Sequence, residues 1–204
     1  MTLLGLFLSL SIIFSFPTWA ESFEIIHQKG TVKITRQGKI ISPPVLPGDQ
    51  IEVLKGGLLV LKSEKIVLKI MQNTIIRPKE DKEGTVVDLI RGSMLSDVNK
   101  APFKVRTRAT AMGVRGTQFF VETVGKEDIW MCVNEGVVNV KNFNVKKDVD
   151  VPAGKGVFIG KKEISDPKAF QWTKGINWNM NPKKGKLEHH IKLKSYDPLS
   201  NFYD

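Results

Sequence analysis

The sequence contains very few of the side chains that bind metals or form disulfides. Among its 204 residues there are one cysteine, Cys132, and three histidines. A single cysteine cannot form a disulfide within the chain. His27 is isolated, whereas His189 and His190 are neighbours, which point in opposite directions on an extended chain. Because no cluster of Cys, His or carboxylate residues has the spacing of metal ligands, we expect no metal and no cofactor.

The sequence also lacks the common catalytic motifs. It contains no G-x-S-x-G nucleophile elbow, no Walker loop and no H-E-x-x-H zinc motif. Residues 113–116 include two glycines, but without the strand-loop-helix context in which glycines bind phosphate. The chain is therefore predicted not to be an enzyme. An unrecognised hydrolase is the weaker alternative, because scattered acidic residues leave open a pair of carboxylates that meets only in space.

The first twenty residues carry no charge. Residues 3–16 are almost entirely apolar, and a small residue, Ala20, precedes the first charged one, Glu21. This pattern predicts a secretory signal peptide over residues 1–20, cleaved after Ala20. The alternative is an uncleaved anchor, but the apolar run is shorter than the roughly 20 residues of a spanning helix. We therefore expect a periplasmic or extracellular protein with no transmembrane segment after cleavage.

Acidic residues are outnumbered, with 21 Asp and Glu against 31 Lys and Arg, which gives a formal net charge of +10. A basic surface is typical of proteins with acidic partners. For an exported chain, the expected partner is another envelope protein or an anionic envelope polymer, and not a nucleic acid. The alternative is that the lysines serve only solubility.

No long segment has the 3.6-residue apolar period of a helix. Residues 21–160 instead consist of short apolar stretches about ten residues apart, separated by turns rich in Gly and Asp. This spacing predicts an all-β domain, either a compact, mostly antiparallel sandwich or roll or a short β-solenoid. Cys132 lies within one such predicted strand, where it is expected to be a small buried side chain.

The composition changes after Gly160. Residues 161–204 include Trp172, Trp178 and a lysine-rich run at 183–186. We predict an irregular C-terminal extension with at most a short helix, for which residues 168–174 are the best candidate. The tryptophans either dock this extension onto the sheet or contact a ligand.

The most informative stretch covers residues 105–121, where two glycines flank an arginine between β-forming residues. Two glycines three positions apart predict a bulge or tight bend in a strand. The Arg115 guanidinium is then expected to be half-buried and to need an acceptor. The residues of this structural motif are Gly113, Val114, Arg115, Gly116, Thr117 and Phe119, with Glu135 and Gly136 in a later turn.

These two segments resemble the FecR-type domain, a periplasmic module of envelope signalling regulators. The family pattern is V-R-G-T-x-F-x-V followed by a hairpin ending in x-E-G-x-V, and the chain has VRGTQFFV at 114–121 and NEGVV at 134–138. The resemblance extends from about Ile25 to Gly160. In this pattern the two turns recur together, so we expect Arg115 and Glu135 to meet or to be fixed by backbone groups at the same end of the sheet.

The resemblance implies a domain that binds another molecule, and it does not identify a catalytic activity. Regulators of this family combine the domain with a cytoplasmic segment that controls a sigma factor, and this sequence shows no such segment. We therefore expect an exported, non-enzymatic interaction module in envelope signalling or assembly. The alternative is an envelope-structural protein that binds anionic polysaccharide or peptidoglycan through its lysines.

Overall fold

The computed structural model describes residues 22–125, 128–145, 147–170, 173 and 175–188. The predicted signal peptide, Trp172 and the His189–His190 pair lie outside these residues. Within them the structure consists of β-strands and turns, with 3-10 helical residues at 173, 175 and 182–184.

The strands follow one another closely along the chain. In chain order they are β1 (Glu24–Lys29), β2 (Val32–Arg36), β3 (Lys39–Ile40), β4 (Gln50–Val53), β5 (Leu58–Lys62), β6 (Ile66–Ile70), β7 (Thr74–Asp81), β8 (Gly84–Arg91), β9 (Ser93–Val98), β10 (Phe103–Arg106), β11 (Thr110–Val114), β12 (Thr117–Val124), β13 (Asp128–Glu135), β14 (Val137–Asn142), β15 (Lys147–Pro152) and β16 (Gly156–Ile159).

These strands form two sheets that pack as a sandwich. One sheet has seven strands in the order β1-β5-β6-β9-β12-β13-β16, and the other has nine in the order β15-β14-β11-β10-β8-β7-β4-β2-β3. Among the strand pairs in the described residues, only β10 with β8 is parallel. The prediction of an all-β, mostly antiparallel domain is confirmed. The solenoid alternative is wrong, because stacked coils would require mainly parallel neighbours.

The inward faces of the two sheets share one hydrophobic core. Side chains alternate between the two faces of a strand, so alternate residues of most strands enter this core. In β12, for example, Phe119 and Val121 are buried between the sheets. The Phe119 ring packs against that of Phe103 on the opposite sheet, with 6.4 Å between the ring centroids.

The chain passes from one sheet to the other at short corners. Single residues or pairs separate β8 from β9, β11 from β12 and β13 from β14, and in each case the two strands belong to different sheets. Each of these corners contains a glycine with positive φ, namely Gly92, Gly116 and Gly136. Six of the other connections are hairpins within one sheet, and five more, including β4–β5 and β6–β7, also pass between the sheets. At these three corners the chain passes directly from a strand of one sheet into a strand of the other, which links the two layers of the sandwich.

The described part of the C-terminal extension crosses the outer face of the seven-stranded sheet. Ile164 and Lys168 form isolated bridges to Ile159 and Gly156, and the 3-10 helix covers Pro182–Lys184. Within residues 168–174, where a helical turn was predicted, Thr173 is in 3-10 conformation and its N–H donates to the Phe170 carbonyl at 3.2 Å, whereas Lys168 is extended and residues 171, 172 and 174 lie outside the described part. Across the described residues we find no helix with the length and apolar character needed to span a membrane.

Candidate functional site

The motif at residues 113–119 forms one of the corners between the two sheets. Val114 ends β11 in the nine-stranded sheet, and Thr117 begins β12 in the seven-stranded sheet. Val114, Thr117 and Phe119 are buried, whereas Arg115 and Gly116, which lie between the two strands, are exposed. The predicted tight bend is therefore present, and its function in the fold is to redirect the strand.

The second half of the motif contacts the first through the backbone. Gly136 has φ +82°, and a Cβ at this position would lie 2.6 Å from the Gly116 carbonyl oxygen and 2.8 Å from Thr117 Oγ1. Only glycine tolerates both the positive φ and this approach. The Thr117 hydroxyl also donates to the Val137 carbonyl at 3.2 Å. The two turns thus lie at the same end of the sandwich, as expected.

The predicted burial and pairing of Arg115 are wrong. Arg115 and Glu135 are both exposed, and within the described part of the chain neither side chain has a hydrogen bond or ion pair. Arg115 occupies a corner that leaves one sheet before joining the other, so its side chain projects into water and needs no buried acceptor. The contact that joins the two turns is made by Gly116, Thr117 and Gly136 instead.

The outer face of the seven-stranded sheet is apolar and is covered by the extension. A second buried cluster joins sheet and extension, and its members are Leu58, Val60, Met71, Leu95, Phe120, Cys132, Ile176, Met180 and Leu187. Trp178 packs against this cluster, as the docking alternative predicted. Phe170 also packs edge-on against Trp130 of β13, with 4.5 Å between the ring centroids. Cys132 is buried as predicted, and burial raises the pKa of its thiol.

A buried lysine fixes the extension to this face. Lys69 of β6 is completely buried, and its ammonium group donates to the backbone carbonyls of Asn177 at 2.5 Å, Asn179 at 2.7 Å and Leu187 at 3.1 Å. Burial lowers the pKa of Lys69 to about 8, with the Glu188 charge opposing the shift. Sequence analysis did not identify this residue, because its acceptors lie more than 100 residues later in the chain.

Alternating asparagines shape the segment that Lys69 holds. The Oδ1 atoms of Asn177, Asn179 and Asn181 each accept the backbone N–H two residues later, at 2.9 to 3.0 Å. These successive Asx-turns leave the intervening apolar side chains directed at the sheet. The alternation of Ile, Trp and Met with Asn at residues 176–181 is the one signal in the sequence that could have predicted docking of this segment.

An open groove of about 580 Å³ runs between this segment and the sheet. We call it the extension groove. It is lined by Ile26, Lys62, Val67, Asp97, Gln118, Trp178, Asn179, Met180, Asn181, Pro182, Lys183 and Lys184. Burial and the nearby Glu135 charge raise the pKa of Asp97, against a hydrogen bond from Gln118. Lys62, Lys183 and Lys184 have no carboxylate partner among the residues that the structure describes.

The outer face of the nine-stranded sheet carries paired charges, and the apolar cluster through which the described extension docks lies on the other sheet. Asp88 of β8 forms ion pairs with Lys79 of β7 and Arg106 of β10. Burial would raise the pKa of Asp88, but hydrogen bonds from Lys79 and Arg106 outweigh it and lower the pKa. Further ion pairs join Arg91 of β8 to Glu52 of β4, across the intervening β7, and Lys141 of β14 to Asp148 of the adjacent β15.

Two large apolar side chains interrupt this charged face. Ile90 is 51% exposed and Phe143 is 60% exposed. Together with Asp88, Leu89, Arg106, Thr107 and Arg108 they line a cavity of about 600 Å³. Arg108 is exposed and has no ion pair with any described residue. We call Ile90, Arg108 and Phe143 the Phe143 patch.

The described residues contain no group of three or more His, Cys, Asp or Glu side chains that could hold a metal ion. One carboxylate, Asp97, lines the extension groove. A hydrolase of the type left open above would place two carboxylates across the groove from each other. The arrangement therefore provides binding contacts, with no pair of facing acids among its lining residues.

Comparison with known proteins agrees with this geometry. The model of the FecR protein family matches residues 49–139. Two crystal structures of a candidate anti-sigma factor from Parabacteroides distasonis ATCC 8503 are similar, each with a TM-score of 0.53 and with identities of 21% and 20%. Each alignment covers 62% of this chain, but only 63% and 62% of the solved chains, so this likeness concerns the fold alone. No curated protein sequence matches the chain. Residues 49–139, which run from β4 into β14, are a FecR-type domain.

Proposed function

We propose that this protein is an exported, non-enzymatic interaction module that binds another protein of the cell envelope. The FecR-type domain supports a signalling or interaction function at the level of the family. The uncharged, apolar residues 1–20 support export to the periplasm or the exterior. The finer assignment to a protein partner depends on the surface described next.

The Phe143 patch is the observation that carries this proposal. Exposed aromatic and aliphatic side chains beside an arginine are the composition of energetically important contacts in protein interfaces. Asp88 pairs with both Lys79 and Arg106, so this group of three keeps a net positive charge. Arg108 adds a cation with no ion pair among the described residues, and an acidic side chain next to an apolar one fits this surface.

The position of the patch also favours a partner over the chain itself. The extension docks on the apolar outer face of the opposite sheet, and it reaches the nine-stranded sheet at edge strand β15, where Lys147 donates to the Ile164 carbonyl and pairs with Asp166. The Phe143 side chain lies just after β14, next to the turn between β10 and β11, where its backbone N–H donates to the Ala109 carbonyl at 2.9 Å. The patch is thus held on a rigid sheet while its side chains remain accessible.

Site-specific photocrosslinking in the producing cells tests this proposal. A photoreactive phenylalanine at position 143 should give one discrete adduct with an envelope protein, and Arg108→Glu should abolish it. Ile40 is the matched control position, because it is also a large exposed hydrophobic residue, 77% exposed, on β3 at the sheet edge. The same adduct from position 40, an adduct insensitive to Arg108→Glu, or a dimer of this chain alone would contradict the proposal.

A second candidate function is binding of an anionic envelope polymer. The net charge of +10 favours it, as do the three unpaired lysines of the extension groove. This function does not compete with the first for the same surface, because the groove and the Phe143 patch are on different sheets.

A further inference from the structure

We propose that the extension groove is a binding site for an acidic oligosaccharide, a sugar chain whose rings carry carboxylates. This inference rests on the second candidate function, for which it names the ligand class, and it is independent of the protein partner proposed for the other sheet. The groove, at about 580 Å³, has the size of sites that hold a small ligand. Its lining combines three kinds of group that together suit such a ligand, namely cations, amides and an aromatic ring.

The cations are the first of these. Lys62 enters the groove from β5, and Lys183 and Lys184 enter from the 3-10 helix of the extension. None of the three forms an ion pair with a described residue, although nearby Lys29 pairs with Glu188 at 2.8 Å. Positive charge thus approaches the groove from two separate parts of the chain, which suits a ligand with several negative groups.

The amides are the second. Asn134 Nδ2 donates to Gln118 Oε1 at 2.6 Å, so the other end of Gln118, Nε2, is directed at Asp97 Oδ2 and the Trp178 carbonyl. Those two contacts are long, at 3.5 and 3.4 Å, so a ligand oxygen can replace either acceptor of this amide N–H₂ group. Asn181 is oriented by its Asx-turn, whereas the Asn179 amide nitrogen already donates to the Gly185 and Lys186 carbonyls. Oriented amides of this kind can exchange hydrogen bonds with sugar hydroxyls.

The aromatic ring is the third. Trp178 is half-buried, with part of its surface packed on the covered cluster and part lining the groove. An indole in this position offers a flat apolar surface beside polar groups, against which the C–H face of a sugar ring can stack.

The sheet beneath the groove argues against an acidic peptide. Extended peptides bind by pairing with an unpaired sheet edge. The groove residues Lys62, Val67, Asp97 and Gln118 belong to β5, β6, β9 and β12, each of which is hydrogen-bonded on both sides. Ile26 alone among the lining residues belongs to an edge strand, β1. A peptide backbone would therefore find few partners here, whereas a sugar chain needs only the side-chain groups already present.

Isothermal titration of the mature chain with tetragalacturonate tests the site. We expect binding that weakens with added salt, and a Lys62→Gln, Lys183→Gln, Lys184→Gln triple variant should bind about tenfold more weakly or worse. The control triple variant is Lys39→Gln, Lys82→Gln, Lys162→Gln, which has the same net charge and changes exposed lysines outside the groove. Its affinity should equal that of the parent.

Four outcomes would overturn the inference. They are no binding of tetragalacturonate, an equal loss in the control variant, equal binding of a neutral tetrasaccharide, and equally tight, groove-dependent binding of poly-L-glutamate, which would indicate an acidic protein segment. Arg108→Glu separates this inference from the proposed function. It should leave tetragalacturonate binding unchanged while abolishing the crosslink at position 143.

Discussion

The two sheets share the same pleated geometry, but their outer faces differ in composition and in their contact with the C-terminal extension. On the seven-stranded sheet the outer face is apolar and is covered by the chain's own extension. On the nine-stranded sheet it carries ion pairs in water, such as Lys79–Asp88–Arg106 and Lys141–Asp148. Because both sheets share the inner core, their outer faces determine which surfaces remain for a partner.

The two faces are already distinct in the strand sequences. β5 and β16 are nearly continuous apolar runs, LLVLK and GVFI, whereas β10 alternates as FKVR. A strand that is apolar on both faces must be covered on both. The continuous apolar runs in the seven-stranded sheet indicate that its outer face is covered. The apolar-polar alternation in the nine-stranded sheet indicates an outer face in contact with water.

The largest expected effect concerns a corner that joins the two sheets. Gly136→Val should destabilise the fold by about 3–6 kcal/mol, because a branched side chain must adopt positive φ and meets the Gly116 carbonyl. Chemical denaturation measures this change. Gly113→Ala is the matched control, since Gly113 lacks a positive φ and a Cβ there would meet nothing within 4 Å. Equal stability of the Gly136→Val variant would show that the corner is not constrained.

The second-largest expected effect tests the difference between the two outer faces directly. Lys69→Met keeps an unbranched side chain but leaves three backbone carbonyls without their donor. We expect a loss of about 2–5 kcal/mol in the free energy of unfolding. Lys33→Met on β2 of the nine-stranded sheet, where the lysine is exposed, should change stability by no more than about 0.5 kcal/mol. Similar losses from both variants would contradict the proposed difference.

Two carboxylates should respond to pH in opposite directions. Glu122 lies on the covered sheet, and burial raises its pKa from 4.5 to about 7. The folded chain therefore retains a proton that the unfolded chain loses above pH 4.5, so this contribution to stability is complete below pH 4.5 and is lost as pH rises through 7. We expect a decrease of about 2–3 kcal/mol over this range, absent in Glu122→Gln.

Asp88 on the nine-stranded sheet provides the contrast. Its pKa is lowered by Lys79 and Arg106 against the effect of burial, so its contribution is present above the ordinary value of 3.8 and is lost as pH falls. Asp88→Asn should therefore flatten the acidic limb of the stability profile and leave the region near neutral pH unchanged. Thermal unfolding across pH measures both variants, and the same pH limb affected in both would refute the assignment.

The smallest effect concerns Arg115. Because its side chain is exposed and has no partner among the described residues, Arg115→Ala should change stability by no more than about 0.5 kcal/mol. Differential scanning calorimetry can detect a larger change. A loss of several kcal/mol in the free energy of unfolding would instead support the buried Arg115–Glu135 pair that the sequence predicted.

Local patterns predicted the all-β fold and the position of the central bend, because alternation and glycine placement act over a few residues. Local patterns did not predict the contacts in which the two partners lie far apart in the sequence. Arg115 was expected to be buried because its neighbours Val114 and Phe119 are, but a corner turns its side chain out. Nothing near Lys69 in the sequence reveals that residues 177–187 cover it, because its acceptors lie in a distant segment.

The extension groove was also beyond prediction, since it exists only after the extension docks. Lys62 and Lys183 are 121 positions apart in sequence and line one groove only through that docking. The lysine-rich run at 183–186 can be recognised in the sequence, but its proximity to Gln118 and Asp97 cannot. Long-range packing, rather than local propensity, creates both the covered face and the candidate sugar site.

The single cysteine provides the most direct test of the covered face. Cys132 lies in the same buried cluster as Ile176, Met180 and Leu187 of the extension. In the native protein its thiol should react with a soluble disulfide reagent far more slowly than in the unfolded chain. Lys69→Met should accelerate the reaction while the circular dichroism of the β-sandwich stays unchanged. Rapid labelling of the parent protein, or a rate unaffected by Lys69→Met, would contradict a face covered by the extension.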